Sequence, residues 1–479
     1  MTKKIIYILS LGAFLFTASC SEERLQLLPE IGSPLEEAIN TENDMRLVLN
    51  GVYNKMSAST GFGAAVSIFG DLLSDNAFVS TANDGYFLNT SRMSYSPEIS
   101  DFSMYDSFYN VIQQANMVIG DKKLKESQTV LRYKAEAKIA RAMSYFYLVS
   151  FYSPDPKSGT NQEYGVPIQP EDYNPDNKLS RSSVNDIYNY IISDLESGIA
   201  GLSGATVTKR SVLTPTAAKL LLSRVYLSRG ATGDYQKAVS YANEVINNSP
   251  SNVFAPITDK TTYTNYFTST SSSNIDDQKE TIFEIEQTPV FNNGGNAHPS
   301  SFYASNGAHK SILFRQSFIN LIKTNNNDWR VALIGNLGSN QDTPQGYFGK
   351  KWVRGTNEGN YVSNIRLLRF SEAYLNRIEA LFKSGQTSAA LSYLNQFEQS
   401  RGENISSNIT IEKILDERRK EFFGEGYRYF DLKRNGLSVV KDSNCSTNCN
   451  VSANDRLLVI PIPYYEININ PNITQYPGW

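Results

Sequence analysis

Two histidines, three cysteines and 48 acidic residues are the material from which this chain of 479 residues would have to build a catalytic centre. His298 and His309 are too few for a multi-histidine metal site or an HExxH helix, and they leave little for a Ser-His-Asp or Cys-His arrangement. No GxxxxGKS or GxxxxGKT loop is present to cradle a phosphate. Carboxylate pairs can run glycoside hydrolysis, but with 48 acids no single pair stands out. No cofactor and no metal are expected. The densest charged stretch runs from Leu415 to Arg434. Helical spacing sets Glu417 with Glu421 and Arg418 with Phe422 there, and Gly424 and Gly426 then end the helix. Charges set among Phe422, Phe423, Tyr427 and Phe430 read as a partly buried ion-pair network that locks the end of the chain onto a helical core, not as a ligand site. What remains with chemical potential is aromatic rings beside amides: Tyr86, Phe87 and Asn89 in one irregular stretch, and Phe291, Asn292, Phe302 and Tyr303 in another. Flat apolar surface next to hydrogen-bonding forks suits a ligand with apolar faces and a rim of hydroxyls. These seven residues are the candidate ligand site.

The start of the chain sets the compartment. Lys3 and Lys4 precede the largely apolar run Ile5 to Phe16, and Thr17-Ala18-Ser19 leads into Cys20. That is the layout of a signal peptide over residues 1–19, and the run is too short to span a bilayer, which takes ~20 residues. The junction resembles the lipobox of bacterial lipoproteins, with Thr17 where an aliphatic is usual. The resemblance implies that Cys20 is acylated, with residues 20–40 as anchor and tether. Several acyl chains, palmitate among them, hold a protein stably where one would be marginal. The following Ser21-Glu22-Glu23 resembles the acidic signal that sends lipoproteins of the phylum Bacteroidota to the outer face of the outer membrane. In such an exported chain Cys445 and Cys449, alone in a polar stretch, are expected to close a loop as a disulfide; free thiols are the alternative, and a lone pair of thiols makes a poor zinc site.

The remaining body is large and slightly acidic. There are 45 Lys+Arg against 48 Asp+Glu in the whole chain, and removing Lys3 and Lys4 leaves 43 − 48 = −5, which attracts no nucleic acid. Aromatics make up 12% of the residues, with 29 Tyr and 24 Phe but 3 Trp, a usage that suits wet, polar recognition surfaces.

The elements that must position the candidate site are mostly helices in pairs. Thr41 and Asp44 form a capping box ahead of the stripe Met45, Val48, Leu49, Val52 and Met56. A second helix is predicted from about Leu131 to Tyr152. Two later segments, Ala217 to Asn248 and Ser371 to Arg401, share a plan of helix, glycine, short turn and a small alanine opening the next helix. This is the tetratricopeptide pattern, in which successive helix pairs stack to bury faces that one pair cannot. A mostly α scaffold over about 41–248 and 363–479 is expected, with a loop-rich insertion at about 249–362 holding one strand near Thr281 to Glu286. A second irregular stretch runs from Asp71 to Ser100. Long loop-rich insertions in compact proteins are more often functional than not.

Several motifs carry a family resemblance over nearly the whole mature chain. The run Glu417 to Leu432, the ending Ile460-Pro-Ile-Pro463 with Glu466, Asn470-Pro-Asn472 and Pro477-Gly478, the helix Tyr105 to Asn116, the helix Ala135 to Leu148 and the turn Tyr164 to Ile168 are similar, in order, to the SusD/RagB family. The resemblance implies a SusD-like fold of four tetratricopeptide-like pairs, with the ligand site on an irregular subdomain. It implies no enzymatic activity. It also implies capture of an oligosaccharide, or in some members a peptide, for a SusC-like TonB-dependent transporter in the outer membrane. Trp329, Trp352 and Trp479 do not form the tryptophan-rich site of starch-binding members, so Tyr and Phe would replace it. An extracellular glycoside hydrolase and a tetratricopeptide scaffold for another protein are the rival readings.

Overall fold

A computed structural model describes residues 38–99, 101–172, 174, 176–207, 209–337 and 346–479. The signal segment 1–19, Cys20 and nearly all of the 20–40 tether lie outside the described residues. Among the described residues no helix is long and apolar enough to cross a membrane.

The capping box forms as its spacing predicts: the Asp44 amide donates to Thr41 Oγ1 at 3.1 Å, and the Thr41 amide donates back to the Asp44 carboxylate at 2.9 Å. It opens helix α1, Glu42–Met56, which buries Met45, Leu49, Val52 and Met56. Seven further helices build the scaffold: α2 Met104–Ile119, α3 Gln128–Tyr152, α4 Val184–Gly201, α5 Pro215–Arg229, α6 Asp234–Asn248, α7 Phe370–Lys383 and α8 Thr387–Gln399. Each packs on the next in this order, α1 on α2 through to α7 on α8, so the apolar face of each pair is covered by its neighbours. The turn between α5 and α6 depends on Gly230, whose φ of 60° closes α5 in the left-handed region.

The sequence-predicted insertion is more structured than its composition suggests. Strand β2, Thr281–Ile285, pairs antiparallel with Ile365–Arg369, the strand that feeds directly into α7. The two irregular stretches also meet in one four-stranded sheet. Ala77–Val79 (β1) from the first pairs with Ile312–Phe314 (β3) from the second, which continues through Gly346–Gly349 to Ile334–Leu337. The insertion therefore docks onto the first irregular stretch through backbone hydrogen bonds, including Ser80 N to Ser311 O at 2.8 Å.

The motif from Leu415 folds as α9, Ile411–Phe422, followed by α10, Arg428–Arg434. Gly424 and Gly426 sit between them with φ of 75° and 81°. Gly426 meets Gly70 of the helix Ala65–Leu72 so closely that a Cβ on Gly70 would lie 1.9 Å from the Gly426 carbonyl oxygen. The ion pairs lie deeper than expected because the insertion supplies many of the partners. Arg330 and Arg369 are fully buried; Arg330 reaches Asp328 and Glu417, and Arg369 reaches Glu280, Glu421 and Glu425. The network thus ties the scaffold, the insertion and the C-terminal motif together.

One buried acid in β2 stands outside that network. Burial, reinforced by the nearby Asp276, pushes the Glu284 carboxyl from its ordinary 4.5 up to about 8, although the Asn364 amide and the Asp277 backbone N–H donate to its Oε1. The folded protein keeps this proton where the unfolded chain has lost it, so this group's contribution to stability falls as pH rises from about 4.5 to about 8. Glu284→Gln is expected to flatten the decline of melting temperature between pH 5 and pH 8 and to raise it at pH 8. An unchanged slope in thermal melts across that range would contradict the assignment.

Candidate functional site

The first irregular stretch is held in one shape by its own polar side chains. The Gly85 amide donates to Asn83 Oδ1 at 2.7 Å, Thr90 Oγ1 donates to Asp101 at 2.7 Å, and the Val79 amide donates to Ser91 Oγ at 3.1 Å. A five-residue helix, Leu88–Arg92, is flanked by Phe87 and Met93, both in the left-handed region with φ of 59° and 50°. Such conformations cost of order 1–3 kcal/mol each and persist where the surroundings over-determine them.

This shape leaves Tyr86 40% exposed over a cluster of rings. His309 lies 4.4 Å from it between centroids, and Phe302 lies 5.6 Å away. The imidazole stacks on Phe302 at 4.9 Å and 17°, and its Nδ1 is 2.7 Å from Asp84 of the same loop. Phe87, half-buried, packs on Phe302 and Phe69. Asn89 is half-buried, and its carbonyl and side-chain oxygens both accept from Ser94.

On either side of Tyr86 in the chain, residues 78–83 and Leu88, Ser91 and Arg92 form one side of a cavity of about 700 Å³. The other side is Asn444 to Thr447. Cys445 and Cys449 are joined in a disulfide there, with Cα atoms 5.8 Å apart. The disulfide loop is pinned to the opposite wall by Asn448 Nδ2, which donates to the Met93 carbonyl at 2.8 Å.

The structure brings some of the seven sequence-predicted residues together and separates others. Tyr86, Phe87 and Phe302 share one cluster. Phe302 and Tyr303, however, are each only 1% exposed, and the Tyr303 hydroxyl is committed to Asp71 at 3.0 Å. Phe302 backs the platform from inside and Tyr303 packs on Phe314, and both are too buried for a ligand ring to stack on them. Phe291 and Asn292 belong elsewhere. A turn in which the Thr288 amide donates to the Phe291 carbonyl carries them, and Phe291 lines a different cavity, of about 560 Å³, with Tyr53, Tyr133 and Glu136. The two cavities share no lining residue. Sequence reasoning missed His309 and Arg92. A histidine in a Ser- and Asn-rich loop gives no periodic signal, and its partner Asp84 is 225 residues away.

His298, the other histidine, is structural in its contacts. Its Nε2 faces the Ser363 carbonyl at 2.9 Å and its Nδ1 faces Ser300 at 2.7 Å, while burial holds its pKa down to about 4.

A stack of helix pairs that presents an exposed ring beside a hydroxyl- and amide-lined cavity, on a subdomain of short strands and loops, has the build of a ligand-binding protein. The chain belongs to the SusD family, a carbohydrate-binding family: the SusD family model matches residues 230–479, and a second model, described as starch-binding and associating with the outer membrane, matches residues 25–227. A SusD-like protein of Bacteroides ovatus is 24% identical over 476 residues, covering 90% of this chain and 82% of that one. A SusD superfamily structure from Bacteroides thetaiotaomicron superposes with a TM-score of 0.81 at 27% identity, covering 91% of this chain and all of its own. A laminarin-binding SusD-like protein shares the fold with a TM-score of 0.70 at 23% identity, covering 92% of this chain and 100% of that chain.

Proposed function

We propose that this chain captures an oligosaccharide on the surface around Tyr86 and delivers it to a SusC-like TonB-dependent transporter in the outer membrane, held there by acylated Cys20. The observation that carries the reading is the exposed Tyr86 ring, packed on Phe302 and His309 between Asn83 and Leu88, which line the cavity, in a chain of a carbohydrate-binding family. A ring so fixed loses little entropy when a sugar face stacks on it, and the hydroxyls and amides of Ser80, Thr81, Asn83 and Asn444 supply partners for the sugar's rim. The laminarin-binding and starch-binding labels of its relatives support a glycan as ligand class. Phe291 drops out of this site because it lines the other cavity, and Asn292 because its amide is held in the same turn by Thr288 and Gly294.

The test is a glycan array on the chain from Ser21 onward, with a peptide pool and a reducing-sugar assay alongside. Binding of at least one oligosaccharide class without release of reducing ends is the expected result. Peptide binding alone would move the chain to peptide capture, and reducing-sugar release would overturn the non-catalytic reading. In cells, Cys20→Ala is expected to release the protein from the outer membrane. If that variant still floated with outer membranes in a strain lacking the transporter, the anchor assignment would fall.

A further inference from the structure

The cavity beside Tyr86 is unevenly charged. Its lining includes no Asp or Glu, and its one ionic side chain is Arg92, which is exposed and makes no salt bridge among the described residues. Two more cations stand directly behind the walls. Lys441 donates to the carbonyl of Ser91, a lining residue, at 2.8 Å, and Arg315 donates to the carbonyl of Ser443, next to the lining residue Asn444. Both are buried, neither has a carboxylate within salt-bridge distance among the described residues, and Arg315 Nε has no hydrogen-bond partner. Burial pulls the Lys441 ammonium down to about 7 and the Arg315 guanidinium down to about 10, so each carries a desolvation cost that a nearby anion relieves.

The acids of the flanking segments lie outside the lining and have hydrogen-bond or ion-pair partners of their own, although a carboxylate that accepts from a hydroxyl keeps its charge. Asp84 holds His309, Asp101 accepts from Thr90, Asp442 accepts from Ser317, and Asp75 is shared between Arg428 and Arg419. Elsewhere the fold places carboxylates against deeply buried guanidiniums, as at Arg330 and Arg369. At this cavity it does not, and basic groups with no carboxylate at salt-bridge distance among the described residues, Arg92 on the lining and Arg315 and Lys441 behind it, bias the potential where a ligand sits toward positive. Resting on the reading that this cavity is the glycan site, we infer that its ligand is an acidic oligosaccharide, with a carboxylate or sulfate seated on Arg92 and a neutral sugar face on Tyr86. The planar guanidinium fork matches the paired oxygens of either anion.

The experiment is calorimetry on the chain from Ser21, with oligogalacturonate and alginate oligosaccharides as carboxylate probes, carrageenan oligosaccharides as the sulfate probe and laminari-oligosaccharides as the neutral probe. At least one acidic probe is expected to bind at least ~10-fold tighter than the neutral one at low salt and to weaken by at least ~5-fold on going from 0.05 to 0.5 M NaCl, because exposed charge pairs are screened over that range. Arg92→Gln, an exposed change with little folding cost, is expected to weaken the acidic probe by ~10-fold or more, as loss of a charge-assisted hydrogen bond does. The difference between the carboxylate and sulfate probes names the anion. Equal affinity for neutral and acidic probes, or an acidic affinity indifferent to both salt and Arg92→Gln, would overturn the charge inference while leaving the glycan site standing, provided that Tyr86→Ala still weakens binding. If no glycan of either class bound, the glycan reading would fall and this inference with it.

Discussion

Arg369→Ala is expected to destabilise the protein by about 3–5 kcal/mol, read as a fall in the urea midpoint at unchanged slope, or to prevent soluble expression altogether. The guanidinium lies where the strand Ile365–Arg369 enters α7, fully buried, with Nε 2.7 Å from Glu425, Nη1 2.9 Å from Glu421 and 3.1 Å from Glu280. Each carboxylate has been taken out of water on the understanding that this cation is present. Arg369, Arg401 and Arg330 together hold Glu421 far below the usual carboxylate range, Arg401 first among them. Deleting Arg369 leaves buried negative charge facing buried negative charge. The control is Lys209→Ala. Lys209 pairs with Glu286 at 2.7 Å with both side chains about half exposed, and such surface pairs are worth ~0–1 kcal/mol. If the two variants lost the same stability, the network would be decoration on a fold held by its apolar core. This network and the neighbouring cluster of Glu379, Arg418, Asp431 and Arg434 set the acid limit. The depressed carboxyls Glu421 and Glu379, the latter held near 2 by Arg434, stabilise the fold above about 4.5, and that contribution is lost as pH falls below it.

The elements that sequence could foretell are those whose signal is local. The capping box at Thr41 and Asp44, the helix pairs at 215–248 and 370–399 and the strand at 281–285 each follow from residues within a few positions of one another. The four-stranded sheet was not legible, because β1 has three residues and pairs across the chain, Ala77 with Phe314. No period can show in three residues. The charged run from Leu415 was legible as a structural network, yet Glu280, Arg330, Lys351 and Arg369 are partners only in space. The same limit governs the candidate site. Tyr86 sits in a stretch whose Asn-Asp-Gly sequence announces a turn, and turns leave side chains exposed. Phe302 and Tyr303 lie in an equally polar stretch, but five residues of helix, Pro299–Tyr303, turn them inward. Composition cannot distinguish the two cases.

That difference gives a contrast between binding and stability. Tyr86→Ala is expected to weaken the identified glycan by at least ~1 kcal/mol with little change in melting temperature, because a half-exposed ring contributes mainly to what stacks on it. Phe302→Ala removes a ring that supports Tyr86, Phe87 and His309 at once, and a cavity left by a buried Phe costs about 3–5 kcal/mol of stability. Tyr303→Phe isolates a smaller effect. It deprives Asp71 of a donor, although the Gly424 amide still reaches that carboxylate at 2.7 Å, and loss of one partner of a buried polar group costs ~1–3 kcal/mol. Because burial already pushes Asp71 up to about 6, the cost of Tyr303→Phe should be greatest above pH 6, where the carboxylate is charged and needs its donors, and should shrink as Asp71 takes up a proton below that. Melting temperatures at pH 5 and pH 8 read this directly. If Tyr86→Ala cost as much stability as Phe302→Ala and left glycan binding intact, Tyr86 would be one more loop anchor and the cavity walls alone would have to hold the ligand.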